Sequence, residues 1–157
     1  MLPHSPETIV RLAQLEDFLN LVPLMKGFAG VRDDGLEDRF RRVVSSPDFV
    51  LVVAELEGGI VGYAMAQGYG PRMRSGEETV RLHDLMVSSE HRRRGVGRAL
   101  FGAVTDWVMA RGSRYLEWQS STSGIAFYES LGLKGDPCPQ PEYPFFEIDF
   151  STTPSQA

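Results

Sequence analysis

The chain has 157 residues, 42% hydrophobic and 24% charged, with a formal net charge of -5. That is the make-up of one ordinary globular domain with enough chain to bury a core. The acidic balance opposes the broad cationic surface that nucleic-acid binding requires, Cys138 as the single cysteine excludes an internal disulfide, and no apolar run reaches membrane-spanning length.

In chain order, Glu7 to Leu12 alternates weakly and predicts a first strand. Leu12 to Phe28 places Leu15, Phe18, Leu19, Val22 and Met25 at helical spacing, with Gly27 and Gly30 as its stop. Asp34 is placed to cap a second helix, Gly35 to Val44, with Leu36, Phe40, Val43 and Val44 inward and Pro47 beyond its end. Phe49 to Leu56 is a β-branched run; Glu57-Gly58-Gly59 is a tight turn, and Ile60 to Tyr69 is the hairpin partner. After a loop, Gly70 to Gly76, comes a strand from Thr79 to Val87.

A helix from Gly95 to Arg111 buries Leu100, Val104, Trp107 and Val108, and Gly112 ends it. Arg114 to Gln119 reads as a strand and Thr122 to Leu131 as a short helix. Pro137 to Pro144 is a proline-rich loop, Phe145 to Phe150 an alternating last strand, and residues 1–6 and 151–157 are expected to be loose ends. The order predicts a single α/β domain over 1–157, a mixed sheet of about six to seven strands with about four helices.

The segment Val87 to Arg98 carries the chemistry. A strand ends, a loop with Arg92, Arg93 and Arg94 closes in Gly95-Val96-Gly97, and a helix begins with Arg98 in its first turn. The free N–H groups and positive dipole end of a helix start make an anion site, and glycine lets the backbone approach that anion. A dinucleotide fingerprint would need a third glycine, and a P-loop a Gly-Lys-Ser/Thr ending; neither is present. The expected guest is a pyrophosphate. Three histidines and one cysteine give no zinc spacing, so no metal site is expected. The start, Met-Leu-Pro-His-Ser-Pro-Glu, lacks a basic region followed by an apolar core, so no signal peptide and a cytoplasmic location are expected.

Arg92-Arg93-Arg94-Gly95-Val96-Gly97 resembles the Arg/Gln-x-x-Gly-x-Gly/Ala signature of the GNAT superfamily of acetyl-CoA-dependent N-acetyltransferases. Upstream, Leu82-His83-Asp84-Leu85-Met86-Val87 resembles the family's central strand. Downstream, Gly124 to Leu133, with Phe127-Tyr128 and Gly132-Leu133, resembles its second block. Together they span about 79 to 134, roughly a third of the chain.

The resemblance implies the GNAT fold, with fourth and fifth strands that splay apart. It implies that Leu85, Met86 and Val87 offer backbone contacts to the pantetheine arm of acetyl-CoA, and that Arg92, Arg93, Arg94, Gly95, Val96, Gly97 and Arg98 hold its pyrophosphate. Tyr128 is implied as the general acid that protonates the leaving thiolate, and as a thiol contact. Ser121 stands where the family often has asparagine, which puts its cofactor contact in question.

For the base, His83 lies two residues before Leu85, on its face of a regular strand, where several family members place a glutamate. Asp84 would point the other way unless the strand is bulged, and Glu117 on the neighbouring strand is the third candidate. Glu117-Trp118-Gln119 resembles the matching strand of small-amine and polyamine members. The acceptor amine is expected among Met25 to Arg39, Tyr69 to Gly76 and Pro137 to Tyr143. Acidic candidates are Asp33, Asp34, Glu37, Glu77 and Glu78, among Arg32, Arg72 and Arg74. A small-molecule amine is the first expectation; a peptide acceptor and a catalytically silent acetyl-CoA sensor are the alternatives. The alternating Phe145 to Phe150 segment would permit a homodimer.

Overall fold

The computed structural model describes residues 7–137, 142–144, 146 and 148. Of the expected last strand at Phe145 to Phe150 only Phe146 and Ile148 are among the described residues, neither in a strand; half of the proline-rich loop, Cys138 included, and both ends of the chain lie outside them. Two compact units are resolved, Met1–Gln119 and Ser120–Ala157.

The first unit is built on a five-stranded mixed sheet in sequential order: β1 (Ile9–Leu12), β2 (Phe49–Leu56), β3 (Gly59–Pro71), β4 (Glu78–Val87) and β5 (Tyr115–Glu117). The first four strands pair antiparallel and β4–β5 is parallel. Helices α1 (Phe18–Met25) and α2 (Leu36–Ser45) pack on one face of the sheet, and α3 (Val96–Ala110) on the other. The β-branched run of β2 is buried on both faces, as a central strand between two helical layers must be. Glu57 and Gly58, at φ 54° and 81°, make the tight turn expected between β2 and β3.

On the α3 face, Val96, Leu100, Val104 and Val108 meet Val50, Val52, Ala64, Ala66, Val80 and Leu82. Gly62 lies under this helix: a Cβ there would stand 2.8 Å from the Met86 carbonyl oxygen and 3.0 Å from Leu100 Cδ1. The close approach of α3 to the sheet therefore depends on a bare backbone at that position.

On the opposite face, Leu21, Phe40, Leu51, Val53 and Tyr63 form the second core cluster, with Phe18, Leu24, Met25 and Phe28 against it. The face of α1 differs from the expected stripe. Leu21 is buried, whereas Leu15 and Leu19 are exposed, Leu19 by 77%. Leu15–Asp17 forms a 3-10 turn, and Asp17 is held by a bidentate pair with Arg11 while also accepting from the Gln14 N–H. That clamp fixes where α1 begins, and so which apolar set of this Leu-rich segment turns inward. Asp34 also differs from expectation: Gly35, in a left-handed conformation, occupies the N-cap of α2 with no side-chain cap.

In the second unit, Thr122–Gly124 is a 3-10 turn that leads into α4 (Ile125–Ser130). Phe127 and Tyr128 stack edge to face at 5.0 Å between ring centroids.

Candidate active site

A single extra residue in β4 decides the geometry of the site. Met65 pairs with Asp84, but the next residue of β3, Ala66, pairs with Leu82, so His83 is a bulge. Val80 and Leu82 face α3 before the bulge, and Leu85 and Val87 face α3 after it. His83 and Asp84 both project to the other side: His83 Nε2 is 3.0 Å from Gln67 Oε1, and Asp84 Oδ2 accepts from the Tyr63 hydroxyl at 3.0 Å. The regular-strand expectation is therefore corrected. His83 does not share a face with Leu85; it stands beside Asp84.

The bulge leaves the backbone downstream in a definite register. The Ser88 N–H donates to Val61 O, next to the Val87–Gly62 pair, so Val87 and Leu85 are non-hydrogen-bonded positions of the β3–β4 ladder. Their own N–H and C=O groups point away from β3, toward β5. Yet β5 pairs only with Thr79, Val80 and Arg81. Beyond Arg81, the β5 side of β4 has no strand partner among the described residues, which is the expected splay. Met86 differs from its neighbours, because its main chain faces Tyr63 in the ladder.

The open edge runs to the start of α3. Arg92 Nε donates to Val87 O at 3.1 Å, and Ser88 Oγ lies 2.6 Å from His91 Nδ1, which fixes the loop's first half. Arg93 at φ 62° and Gly95 at φ 81° are left-handed, and Gly95 caps α3 with no side-chain bond. Alternation of this kind turns successive N–H groups inward as an anion-binding nest, at the positive end of a fifteen-residue helix. Arg93, Arg94 and Arg98 are exposed around it, while Val96 is buried under the helix as an anchor.

On the far side of the sheet lies a cavity of about 520 Å³, lined by Met25, Phe28, Ala29, Gly30, Val31, Arg32, Leu36, Arg39, Tyr63 and Asp84. Phe28 meets the Tyr63 ring edge-on at 6.4 Å. Arg39 shapes the wall by donating to the carbonyls of Asp34 and Arg32 at 2.8 and 2.7 Å. Burial and the neighbouring Asp84 carboxylate push the Tyr63 phenol far above its ordinary range, so it stays protonated and donates to Asp84. The His83 imidazole is pushed below its usual value by burial and by Arg81, against the opposing pull of Asp84, so it is neutral at pH 7.

Other candidates are placed differently. Glu117 is exposed and pairs with Arg81 at 3.6 Å. Trp118 stacks edge to face on Phe101. Glu78, expected among acceptor-loop acids, is buried instead: it pairs with Arg111 at 2.8 Å and accepts from Ser113 and the Gly70 N–H. It is a structural clasp. In the second unit, Ser121 Oγ lies 3.2 Å from Ser123 Oγ, and burial raises the Tyr128 phenol pKa. Sequence reasoning missed Tyr63 and Gln67. The signal for Tyr63 was an aromatic inside an otherwise small run, Gly62-Tyr63-Ala64, but its partner on β4 depends on an unreadable register.

Among the described residues, no group of three or more His, Cys, Asp or Glu side chains is disposed to hold a metal, and no helix is long and apolar enough to cross a membrane.

Comparison with known proteins bears on the family and the fold. The model of the acetyltransferase (GNAT) family matches residues 15–133. Human N-acetyltransferase 8 is 35% identical over 86 residues, which span 52% of this chain and only 37% of that protein. Among solved structures, an aminoglycoside N-acetyltransferase in complex with CoA matches with a TM-score of 0.78 at 19% identity, over 96% of this chain and 99% of that one. Glucosamine-6-phosphate N-acetyltransferase from Arabidopsis thaliana matches with a TM-score of 0.72 at 20% identity, over 90% and 99%. At these identities the two structures establish the fold.

Proposed function

Because the chain belongs to the acetyltransferase (GNAT) family, we propose that it moves an acetyl group from acetyl-CoA to the primary amine of a small molecule. The observation that carries this reading is the bulge at His83. It leaves a backbone edge without a strand partner at Leu85 and Val87 on one side, and on the other turns Asp84 into a cavity with His83 on the same face of the sheet.

The residues present fit the co-substrate. An extended arm with amide groups suits the outward N–H and C=O of Leu85 and the N–H of Val87. Met86 would contribute its place in the strand rather than hydrogen bonds. A pyrophosphate suits the nest from Arg93 to Gly97, with Arg92, Arg94 and Arg98 as surrounding charge. Ser121 contributes at most one hydrogen bond. The thioester supplies an activated acetyl group and a thiolate leaving group.

The amine must first lose its proton. At a pKa near ~10.4 it is neutral in about one part in a thousand or less at pH 7, a gap of roughly 4–5 kcal/mol. Asp84, oriented by Tyr63, holds the ammonium, and neutral His83 takes the proton, directly or through water. Glu117 is the weaker third candidate because Arg81 already engages it. Tyr128 delivers a proton to the departing thiolate, and burial keeps its phenol protonated for that task. In this reading residues 1–157 serve one reaction, in the cytoplasm; most of the segment that would pair two copies, Phe145 to Phe150, lies outside the described residues.

The test is thiol release from acetyl-CoA across amino acids, polyamines, aminoglycosides and short peptides, alongside calorimetric CoA binding. CoA binding with turnover on a small amine is the expected result. Turnover confined to peptides would replace the acceptor class, and binding without turnover on the panel would leave a CoA sensor. No CoA binding would overturn the assignment.

A further inference from the structure

The cavity beyond the bulge has a charge pattern that narrows the acceptor, and the argument rests on the transferase reading above. Asp84 supplies one carboxylate, with Oδ2 engaged by Tyr63. Arg32 and Arg39 line the same cavity. Neither arginine forms an ion pair with Asp84 or with any other described residue, so the charges stand apart rather than cancelling. Of the nearby acids, Asp33 pairs with Lys26 at 3.3 Å and Glu37 with Arg41 at 3.0 Å, while Asp34 and Asp38 are exposed and do not line the cavity. Arg39 spends both terminal nitrogens partly on loop carbonyls, whereas Arg32 makes no side-chain bond to a described residue. The rest of the lining is largely apolar, with Met25, Phe28, Val31 and Leu36 beside the Tyr63 ring.

A cavity with one carboxylate and two guanidiniums repels a polycation. It is complementary to a molecule with one ammonium, an apolar body and one anionic group. We propose that the acceptor is a zwitterionic amine of the hydrophobic α-amino acid class. Its ammonium sits at Asp84, its side chain lies over Phe28 and Tyr63, and its carboxylate is met by Arg32. Arg32 is then a specificity residue, and polyamines and aminoglycosides are poor acceptors.

The test is direct calorimetric binding to the full chain of four probes: phenylalanine, phenethylamine, 3-phenylpropionate and spermidine. Phenylalanine is expected to bind at least tenfold tighter than each of the others. Arg32→Gln should bring phenylalanine to within about threefold of phenethylamine, with an unchanged melting temperature. Phenethylamine or spermidine binding as well as phenylalanine would overturn the proposal, as would an Arg32→Gln variant that keeps the full preference. Thiol release on the same probes separates the two levels. Turnover of spermidine without phenylalanine binding sinks the acceptor class and keeps the transferase. Loss of CoA binding sinks the transferase, while the phenylalanine preference still decides the cavity.

Discussion

The Tyr63 hydroxyl donates to Asp84 Oδ2 at 3.0 Å, from a strand position diagonal to it across the β3–β4 ladder. Asp84 reaches that partner because the extra residue, His83, resets the alternation of β4. One insertion thus sets both the carboxylate in the cavity and the outward backbone at Leu85 and Val87.

Tyr63→Phe tests the pairing. Removing a buried hydroxyl that donates to a carboxylate should cost about 1–2 kcal/mol of stability. With Asp84 no longer held, KM for the amine should rise several-fold while CoA affinity stays. Thermal melts and steady-state kinetics read both, and an unchanged KM would detach Tyr63 from acceptor binding.

Gly97→Asp separates fold from ligand. Glycine within a helix costs up to about 1 kcal/mol, and an acidic residue in the first turn interacts favourably with the helix dipole. The variant should therefore melt at the parent temperature or above it. Its CoA affinity should fall at least tenfold, because a carboxylate now stands where the pyrophosphate belongs. Calorimetry at equal ionic strength decides.

The Glu78 clasp predicts an acid-side loss of stability. Hydrogen bonds from Arg111 and Ser113 lower its carboxyl from 4.5 to about 2 in the folded protein. A depressed folded pKa stabilises fully above the unfolded value and is lost as pH falls from about 4.5 through about 2. Glu78→Gln should cost on the order of 2–3 kcal/mol at pH 7, with the gap to the parent narrowing below pH 4. Urea titrations at pH 7 and pH 3 read it; a pH-independent gap would show that the ionised pair contributes nothing.

Tyr128→Phe should lower kcat by about 10²-fold or more with little change in CoA affinity, the usual size of a general-acid contribution. Retained kcat would remove Tyr128 from thiolate protonation.

For His83, the lowered pKa places its titration below 6.5, so the imidazole is already neutral at pH 7. If it takes the proton, the rate gains an inflection on the acid side, below that value, and His83→Gln abolishes it. A parent-like pH profile in the variant would leave Asp84 with water as the acceptor.

What the sequence determined is what depends on local periodicity and backbone chemistry. β2 at Phe49–Leu56, the turn at Glu57 and Gly58, the buried stripe of α3 and the glycine-closed start of that helix all follow from branching, spacing and φ preference within a few residues. The second block around Phe127 and Tyr128 was legible in the same way, by motif.

Tertiary structure decided the rest. The sides taken by His83 and Asp84 depend on β4's register against β3, since one inserted residue reverses every side chain beyond it. The face of α1 depended on Arg11 clamping Asp17, since the Leu-rich segment offers two apolar stripes and only a fixed start chooses between them. Glu78 read as a loop acid because its partners, Arg111 and Ser113, lie more than thirty positions away in the sequence. The charge pattern of the cavity followed last, once pairing had set which of its nearby charges were already engaged.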